Sequence, residues 1–292
     1  MKKKKILLTV LIVIVSLALA AVLFGVLNAT VGKGQWSLGW QDYRYDGADS
    51  FALGSGTVYE ADIRAIEIDW TKGDVELILS EDDRYLSITE QAQEELSNSA
   101  MLRWRVDENG TLTVKFRESG YFFTVGMQEK RLTVRVPAAI SEQLTSVRIN
   151  GGTKTVSVRD LKAESLEINS QRADLRIENL RAVSVTLATE GGSAKVLGGQ
   201  SDHFSFVGKS GTLEWSPTVL PAKTTLETGK GGMLLILPTD SDFTLSFETK
   251  SGALTSDFPL TQQNGVQIHG TGEALLEIKT VGGTVRLQKQ TQ

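Results

Sequence analysis

The sequence predicts an all-β protein, a parallel β-solenoid in which each repeat of about 20 residues supplies two short strands. Short runs of alternating apolar and polar residues recur from residue 65 to the C-terminus. Turns join the runs in pairs, and most of these turns hold a glycine at a nearly constant interval. Because each run has only one apolar face, a single pair cannot bury it, whereas a stack of pairs forms a continuous interior.

The clearest pair of runs is AIEIDWTKGDVELILS at residues 65–80. Its two runs flank a turn at Gly73, where the missing side chain permits a tight bend. The residues expected to face the interior are Ile66, Ile68, Trp70, Val75, Leu77 and Leu79. Polar residues occupy most of the positions between them, so each run is predicted to be a half-buried strand.

Weaker copies of this unit follow from Ser141 onward. Their turn glycines are Gly152, Gly192, Gly211, Gly231, Gly252 and Gly282, at intervals of 40, 19, 20, 21 and 30 residues. The first interval is two periods with Ala173 in the missing slot, and the last includes a predicted inserted loop, DFPLTQQNGV. We expect each strand to pair with its counterpart one period on, through right-handed crossovers. An antiparallel sandwich of hairpins is the alternative.

Residues 85–137 interrupt the repeat and are predicted to form a meander or hairpin excursion. Asn109-Gly110 between two alternating runs is a strong hairpin signal. A further strand is expected to stop at Pro137. Residues 91–99 are interpreted as a loop that could hold a short helix.

The N-terminus has a basic tip at residues 1–5 and an apolar run at residues 6–27, which begins at Ile6 and ends at Leu27. A helix of this length spans roughly 33 Å, enough to cross a hydrocarbon core of about 30 Å. We expect a single-pass anchor in a bacterial cell membrane, with the basic tip inside and the C-terminal domain outside. A cleaved signal peptide is the alternative, because Ala18-Leu19-Ala20 has the form of a cleavage site; the protein would then be secreted.

Residues 28–56 form a linker rich in glycine and aromatic residues, and residues 57–292 form the predicted extracytoplasmic domain. The aromatic residues of the linker are Trp36, Trp40, Tyr43, Tyr45 and Phe51. We interpret them as packing on the folded domain or lying at the membrane interface, where Trp and Tyr are favoured. A ligand-binding aromatic platform is the alternative.

Composition excludes several function classes. The chain has 31 Lys+Arg and 35 Asp+Glu, and four of the lysines belong to the N-terminal tip. From Asn28 onward the balance is therefore 31 − 4 = 27 basic against 35 acidic residues, a net charge of −8. An acidic body argues against nucleic-acid binding. The chain has no cysteine, which excludes disulfides, a Cys-ligated zinc, a thiol nucleophile and a lipidated cysteine.

No catalytic, cofactor-binding or metal-binding residue is predicted. The two histidines, His203 and His269, fall in different units; we interpret the first as a strand-end residue and the second as solvated. Carboxylates of the opening unit that invite a calcium or acid–base interpretation are Asp62, Glu67, Asp69, Asp74 and Glu76. Their spacing matches no calcium-loop motif, and their alternation is typical of a solvated sheet face. Trp70, Trp104 and Trp215 fall in phase with the buried runs, which makes them core candidates and weak candidates for sugar stacking.

The tracts IEIDWTKGDVELILSEDDRYLSITE, ADSFALGSG and LRWRVDENGTLTVKF resemble a bacterial β-strand-repeat family of "putative adhesins", also called Toastrack, found in LiaG-like envelope proteins. The resemblance extends over roughly residues 45–288 and is most specific at residues 66–79. It implies an exported or membrane-anchored β-repeat domain, associated with envelope-stress systems, with no assigned enzymatic activity. It supplies no catalytic residue to transfer.

Three functions follow as hypotheses. The first is a non-enzymatic envelope module, anchored at residues 6–27, that binds an envelope protein or a cell-wall polymer. The second is a self-assembling surface scaffold or adhesin, because solenoid ends expose unpaired strands. The third is a polysaccharide-acting enzyme, which would need paired carboxylates in a groove.

Overall fold

The computed structural model describes residues 47–59, 62–80, 84–116, 128–151 and 154–291. These ranges lie in one compact unit, Tyr43–Gln292. The predicted anchor at residues 6–27, the basic tip and linker residues 28–46 lie outside the described ranges. Within those ranges, no helix has the length and apolar character needed to cross a bilayer.

The described chain is almost entirely β-strand. In chain order the strands are β1 (Ala52–Leu53), β2 (Gly56–Val58), β3 (Ala65–Trp70), β4 (Gly73–Ser80), β5 (Leu86–Ala92), β6 (Arg103–Val106), β7 (Thr111–Lys115), β8 (Lys130–Pro137), β9 (Ser146–Gly151), β10 (Thr155–Arg159), β11 (Lys162–Ser170), β12 (Asp174–Glu178), β13 (Arg181–Thr189), β14 (Ala194–Leu197), β15 (His203–Gly208), β16 (Leu213–Ser216), β17 (Lys223–Thr228), β18 (Met233–Leu237), β19 (Phe243–Thr249), β20 (Ala253–Ser256), β21 (Thr261–Gln263), β22 (Val266–His269), β23 (Ala274–Thr280) and β24 (Thr284–Lys289). A 3₁₀ turn occupies Ala48–Ser50, and a short helix, α1, occupies Ala138–Ser141.

The strands form two sheets. Sheet A has the order β1-β6-β7-β3-β9-β11-β13-β15-β17-β23-β19-β22-β21, and sheet B has the order β2-β5-β8-β4-β10-β12-β14-β16-β18-β24-β20. The central strands of both sheets are parallel. One strand of each sheet makes a coil, and nine coils stack in the described part of the chain. The solenoid prediction is therefore confirmed over the antiparallel sandwich.

Coil spacing in the middle of the stack follows the predicted period. In sheet A, Val147, Leu166, Val185 and Phe204 are successive partners, each 19 residues beyond the last. Phe204 then pairs with Thr224, 20 residues on. Inward positions of both sheets are buried, as alternation requires when only one face of each strand meets the interior.

Each coil turns twice. We call the turn from a sheet-A strand to a sheet-B strand the first corner, and the connection from a sheet-B strand to the next sheet-A strand the second corner. The first corners stack into the first edge of the solenoid, and the second corners stack into the second edge.

A column of small residues fixes the first edge. In stacking order the column is Ala173, Gly192, Gly211, Gly231, Gly283 and Gly252. A Cβ on Gly211 would lie 1.7 Å from the Gly192 carbonyl oxygen, so a side chain cannot fit between stacked turns. The assignment of Gly282 to this column is wrong: its neighbour Gly283 occupies the slot, where a Cβ would lie 1.9 Å from the Gly231 oxygen.

The N-terminal end departs from sequence order. β7 and β8 pair in parallel with β3 and β4 and form a coil outside them, while β9 and β10 pair on their other side. The excursion at residues 85–137 is therefore more than a meander, because it contributes a full coil. Antiparallel strands β6 and β1, and β5 and β2, then close the two sheets. Residues 91–99 contain no helix.

The C-terminal end of the stack also departs from sequence order. The last coil, β23 and β24, lies between β17–β18 and β19–β20 instead of after them. The expectation that every strand pairs with its counterpart one period on is wrong here. The predicted inserted loop is also structured, because β21 and β22 form an antiparallel hairpin that pairs with β19. Asn264 and Gly265, both with positive φ, make its turn.

Candidate interaction surfaces

The described residues contain no group of three or more His, Asp or Glu side chains placed to hold a metal ion. The carboxylates of the opening coil instead contact residues of neighbouring coils. Asp69 accepts a hydrogen bond from Asn150 at 3.0 Å, and Asp74 lies 3.7 Å from the Arg131 guanidinium. Glu76 forms an ion pair with Arg159. These contacts are lateral, along the polar faces of the sheets, and do not converge on one point.

A second lateral network lies on sheet A. Arg148 bridges Glu67 at 3.7 Å and Glu167 at 3.2 Å, so it ties three adjacent coils together. The Asn169 amide donates to Glu167 at 2.7 Å, and this hydrogen bond, together with Arg148, lowers the pKa of Glu167. Each of these exposed ion pairs stabilises the fold by about a few tenths of a kcal/mol at most, so their main effect is on strand register.

The histidines lie far apart in the fold. His203 is exposed at the start of β15, where the sequence places it. His269 is half-buried and so partly solvated, and its ring contacts Phe243 and Phe258, at centroid distances of 5.5 Å and 5.0 Å. Its Nδ1 lies 2.9 Å from the Pro259 carbonyl oxygen, so the residue closes the C-terminal end of the core.

The aromatic residues belong mainly to the interior. Trp70 and Trp215 are buried, as predicted, and Trp215 stacks on Phe204 at 4.7 Å. Trp104 is half-buried, and its indole Nε1 donates to the Gly54 carbonyl at 3.1 Å. Phe51 is the one linker aromatic within the described ranges, and the Arg105 guanidinium lies 4.6 Å above its ring. Phe51 therefore packs on the folded unit.

A buried ion pair closes the N-terminal end of the first edge. Lys130 and Glu90 have side-chain exposures of 0% and 3% and are directly hydrogen-bonded. The Lys130 ammonium also donates to the Ala100 carbonyl at 2.7 Å and lies 3.5 Å from the Phe116 ring centroid. Burial lowers the pKa of Lys130 to about 8, against the opposing effect of Glu90. The sequence carried a signal for this site, because Lys130 is in phase with the inward-facing Leu132.

A groove runs along the second edge, where residues 138–145 cross from β8 to β9 past the intervening coil. Two adjoining depressions, of about 320 Å³ and about 420 Å³, make up the groove. They share the side chains of Glu142, Lys162 and Arg181. The groove is thus a consequence of the out-of-order coil at this end.

The groove combines a partly apolar wall with charges of both signs. Ala182 and Val183 line it, and Val183 is 50% exposed. Glu142 pairs with Lys162 across it, and Ser141 fixes the crossover by accepting the Lys162 amide and donating to the Lys162 carbonyl. Such a surface suits an extended partner that offers both apolar and polar groups.

The parallel stacking, the two strands in each coil and the lateral polar ladders define the class: a β-solenoid repeat protein. The family model of Toastrack DUF4097 matches residues 63–288, and the chain belongs to this family. This confirms the resemblance carried by residues 66–90 and 102–116.

Several solved structures are similar to the chain. One is described as a "putative cell adhesion protein" from Clostridium sporogenes, with 12% identity, 82% of this chain and 100% of that chain covered, and a TM-score of 0.32. A "putative adhesin" from Bacteroides fragilis has 13% identity, coverage of 81% and 97%, and a TM-score of 0.42. A "putative adhesin" from Parabacteroides distasonis has 14% identity, coverage of 80% and 97%, and a TM-score of 0.41. No curated protein matches the chain.

Proposed function

We propose that this chain is a membrane-anchored, extracytoplasmic, non-enzymatic interaction module that binds a protein of the bacterial cell envelope through the second-edge groove. The anchor is the apolar run at residues 6–27. The groove carries the proposal, because it combines the exposed Val183 and the half-buried Ala182 with charges of both signs. The family resemblance implies an association with envelope-stress systems, so a stress-response protein is the first partner to seek.

The test uses the full chain with a C-terminal tag, recovered from envelope membranes in mild detergent. Val183→Arg places a large charged side chain in the groove. Val207→Arg makes the same change on the outer face of sheet A, where Val207 is 43% exposed. We expect a co-purifying protein that Val183→Arg loses and Val207→Arg retains. A partner insensitive to both variants, or no partner, contradicts binding at the groove.

Self-assembly is a second candidate, favoured by the open end of sheet B. The order of that sheet ends at β20, which pairs only with β24 within the described residues. Its inward residue Leu254 is only partly buried. An unpaired strand edge can accept a strand from another chain. Concentration-dependent sedimentation that is abolished by Leu254→Pro, which removes an N–H on the open side of β20, supports this candidate, and monomeric behaviour at all concentrations contradicts it.

The enzymatic alternative has its own test. A polysaccharide-acting β-helix would use a pair of carboxylates in a groove. Release of reducing ends or unsaturated products from cell-wall glycans by the purified chain, lost in Glu142→Gln, would replace the non-enzymatic proposal.

A further inference from the structure

The first edge carries a row of basic side chains. Among the described residues, the first corners contain six basic residues and two acidic ones, a balance of 6 − 2 = +4. In stacking order the basic residues are Lys72, Lys154, Arg172, Lys209, Lys230 and Lys250. Adjacent coils are about 4.8 Å apart, so the row follows the column of small residues along most of the solenoid.

The row is accessible. All of its members except the half-buried Lys72 are exposed. The two acidic corner residues lie against the row: Glu129 pairs with Lys154 at 2.5 Å and also attracts Lys72, and Glu190 pairs with Lys209 at 2.6 Å. They can therefore neutralise only part of the positive charge.

Carboxylates on the strands beside the row have partners of their own. Asp74 lies 3.7 Å from Arg131, on the outer face of sheet B. Asp174 accepts the amide of Ser193 at 2.9 Å, within the corner itself. Glu248 lies 3.4 Å from Lys279 on sheet A. Asp74 also attracts Lys154, and a hydrogen bond to an amide leaves the charge of Asp174 in place, so these carboxylates weaken the positive field of the row but are fewer than its six cations.

We propose that the first edge binds a linear polyanion, a polymer carrying phosphate or carboxylate groups along a single chain. A row of cations one residue wide matches a string of charges better than it matches a compact ligand. Such contacts release counterions from the polymer, which makes the binding strongly salt-dependent. This inference rests on the proposed envelope location and names the chemistry of a cell-wall partner, but it uses a different surface from the groove.

Two other occupants fit less well. A second copy could offer the acidic second corners, which hold Glu142, Asp160, Asp202, Asp240 and Asp242. Those corners vary in length, from two residues at 160–161 to eight at 138–145, so their charges do not repeat at the coil spacing. A membrane surface would contact a broad face, whereas this row is narrow and flanked by strands with balanced charge.

The test measures binding of fluorescently labelled, long-chain inorganic polyphosphate to the full chain in non-ionic detergent, over a range of NaCl concentrations. The variant Lys209→Gln/Lys230→Gln/Lys250→Gln removes half of the row. The control Lys162→Gln/Arg181→Gln/Lys223→Gln removes three exposed basic residues that begin strands beside the second edge. Poly-L-glutamate, dextran and phosphatidylglycerol vesicles are the comparison probes.

We expect polyphosphate to bind to the wild type. The slope of log K against log salt concentration should be smaller in magnitude by about 2 in the first-edge variant than in the wild type. The control should keep nearly the full slope. Binding of poly-L-glutamate with the same edge dependence supports a carboxylate polymer as the source of the anions. The proposal is overturned if both variants lose the same slope or if neither polymer binds. It is also overturned if vesicles alone bind with a dependence on the first edge, or if salt-sensitive self-association replaces polymer binding. The groove variant Val183→Arg should leave polymer binding unchanged, so failure of the groove proposal remains separate.

Discussion

The two edges of the solenoid are built differently. From β11 onward the first edge repeats a short turn, and in most of these coils a hydroxyl three residues before the small residue accepts its amide, as Thr189 does from Gly192 at 3.1 Å and Thr228 from Gly231 at 3.2 Å. The second edge has connections of different lengths, three of which contain prolines. The charged corner residues of the first edge are mainly basic among the described residues, whereas the charged second-corner residues named above are acidic.

This difference shows that a repeat fold can fix the coil spacing at one edge and vary the shape of its surface at the other. Backbones of stacked first corners touch directly at the column position, so that position is confined to glycine and alanine and the coil spacing is fixed there. Second corners touch in this way only at some coils, as where a Cβ on Gly199 would lie 2.2 Å from the Leu180 carbonyl oxygen, and elsewhere they lengthen, hold α1 and carry the crossover that forms the groove. The first edge therefore aligns its corner side chains along one line, with gaps in the basic row at the corners after β13 and β23, and the second edge presents a shaped surface.

The largest expected effect lies where the first edge ends, at the buried Lys130–Glu90 pair. Glu90→Ala leaves the ammonium buried without its carboxylate, and we expect unfolding free energy to fall by about 3–5 kcal/mol. Urea unfolding followed by tryptophan fluorescence measures it. Glu95→Ala, at an exposed residue of the same segment, should change stability by less than about 0.5 kcal/mol. Similar effects of the two variants would show that the first edge does not depend on this closure.

The next effect tests the column itself. Gly211→Ala forces a Cβ against the Gly192 carbonyl and should cost about 1–3 kcal/mol or more. Gly191→Ala is the matched control, because its Cβ would meet nothing closer than 3.8 Å. We expect the control to be close to neutral in the same urea experiment. Equal costs would mean that backbone flexibility, and not close stacking, selects glycine on this edge.

The smallest effect concerns the second edge, where Asp242 joins the starts of β19 and β23. Its carboxylate accepts the amides of Thr271, Gly272 and Glu273, and the hydrogen bonds, led by that of Thr271, lower its pKa to about 2. Since the folded pKa lies below the ordinary value of 3.8, the carboxylate stabilises the fold above about pH 4 and loses that effect as the pH falls towards 2.

Asp242→Asn should therefore be less stable than the wild type near neutral pH, and most of the difference should be lost as the pH falls to about 2. Thermal unfolding across this pH range measures it. Asp240→Asn, at an exposed neighbour, controls for the loss of one negative charge. A difference that persists unchanged at low pH would rule out the carboxylate as its source.

Much of the fold is predictable because it is local or periodic. Ile66, Ile68 and Trp70 alternate with polar residues, and alternation alone assigns them to the interior, where the structure places them. Gly192, Gly211 and Gly231 keep the period, and Ala173 fills a slot in their column. The hairpin turn at Asn109-Gly110 is likewise a local signal.

The stacking order of the terminal coils depends on residues far apart in the sequence, and periodicity predicts the wrong order. The physical reason for the observed order lies in which residues pair across neighbouring strands. Lys279 lies between Glu227 and Glu248, which would oppose each other if the coils followed sequence order. Ile78 separates Arg135 from Arg159 in the same way at the other end. Like charges placed directly across a sheet are destabilising, so the inserted coils relieve repulsion at both ends.

The candidate surfaces are harder still to predict. Each first corner holds at most one basic residue, and the acidic composition of the chain hides the row until the corners are stacked. The groove depends on a crossover of eight residues, 138–145, whose path follows from the out-of-order coil. Neither surface has a sequence motif of its own.

The most direct test of this account is the position of the last coil, because placing β23 and β24 inside the stack sets the order of the column, Gly231, Gly283 and Gly252, and separates Glu227 from Glu248. The chain has no cysteine, so engineered pairs report without interference. Thr225 and Glu277 are adjacent partners in sheet A, whereas Ser246 lies one strand further on. Under mild oxidation, Thr225→Cys/Glu277→Cys should form a disulfide detectable by mass spectrometry, and Thr225→Cys/Ser246→Cys, at about 10 Å, should not. A disulfide in the second pair and none in the first would contradict the account.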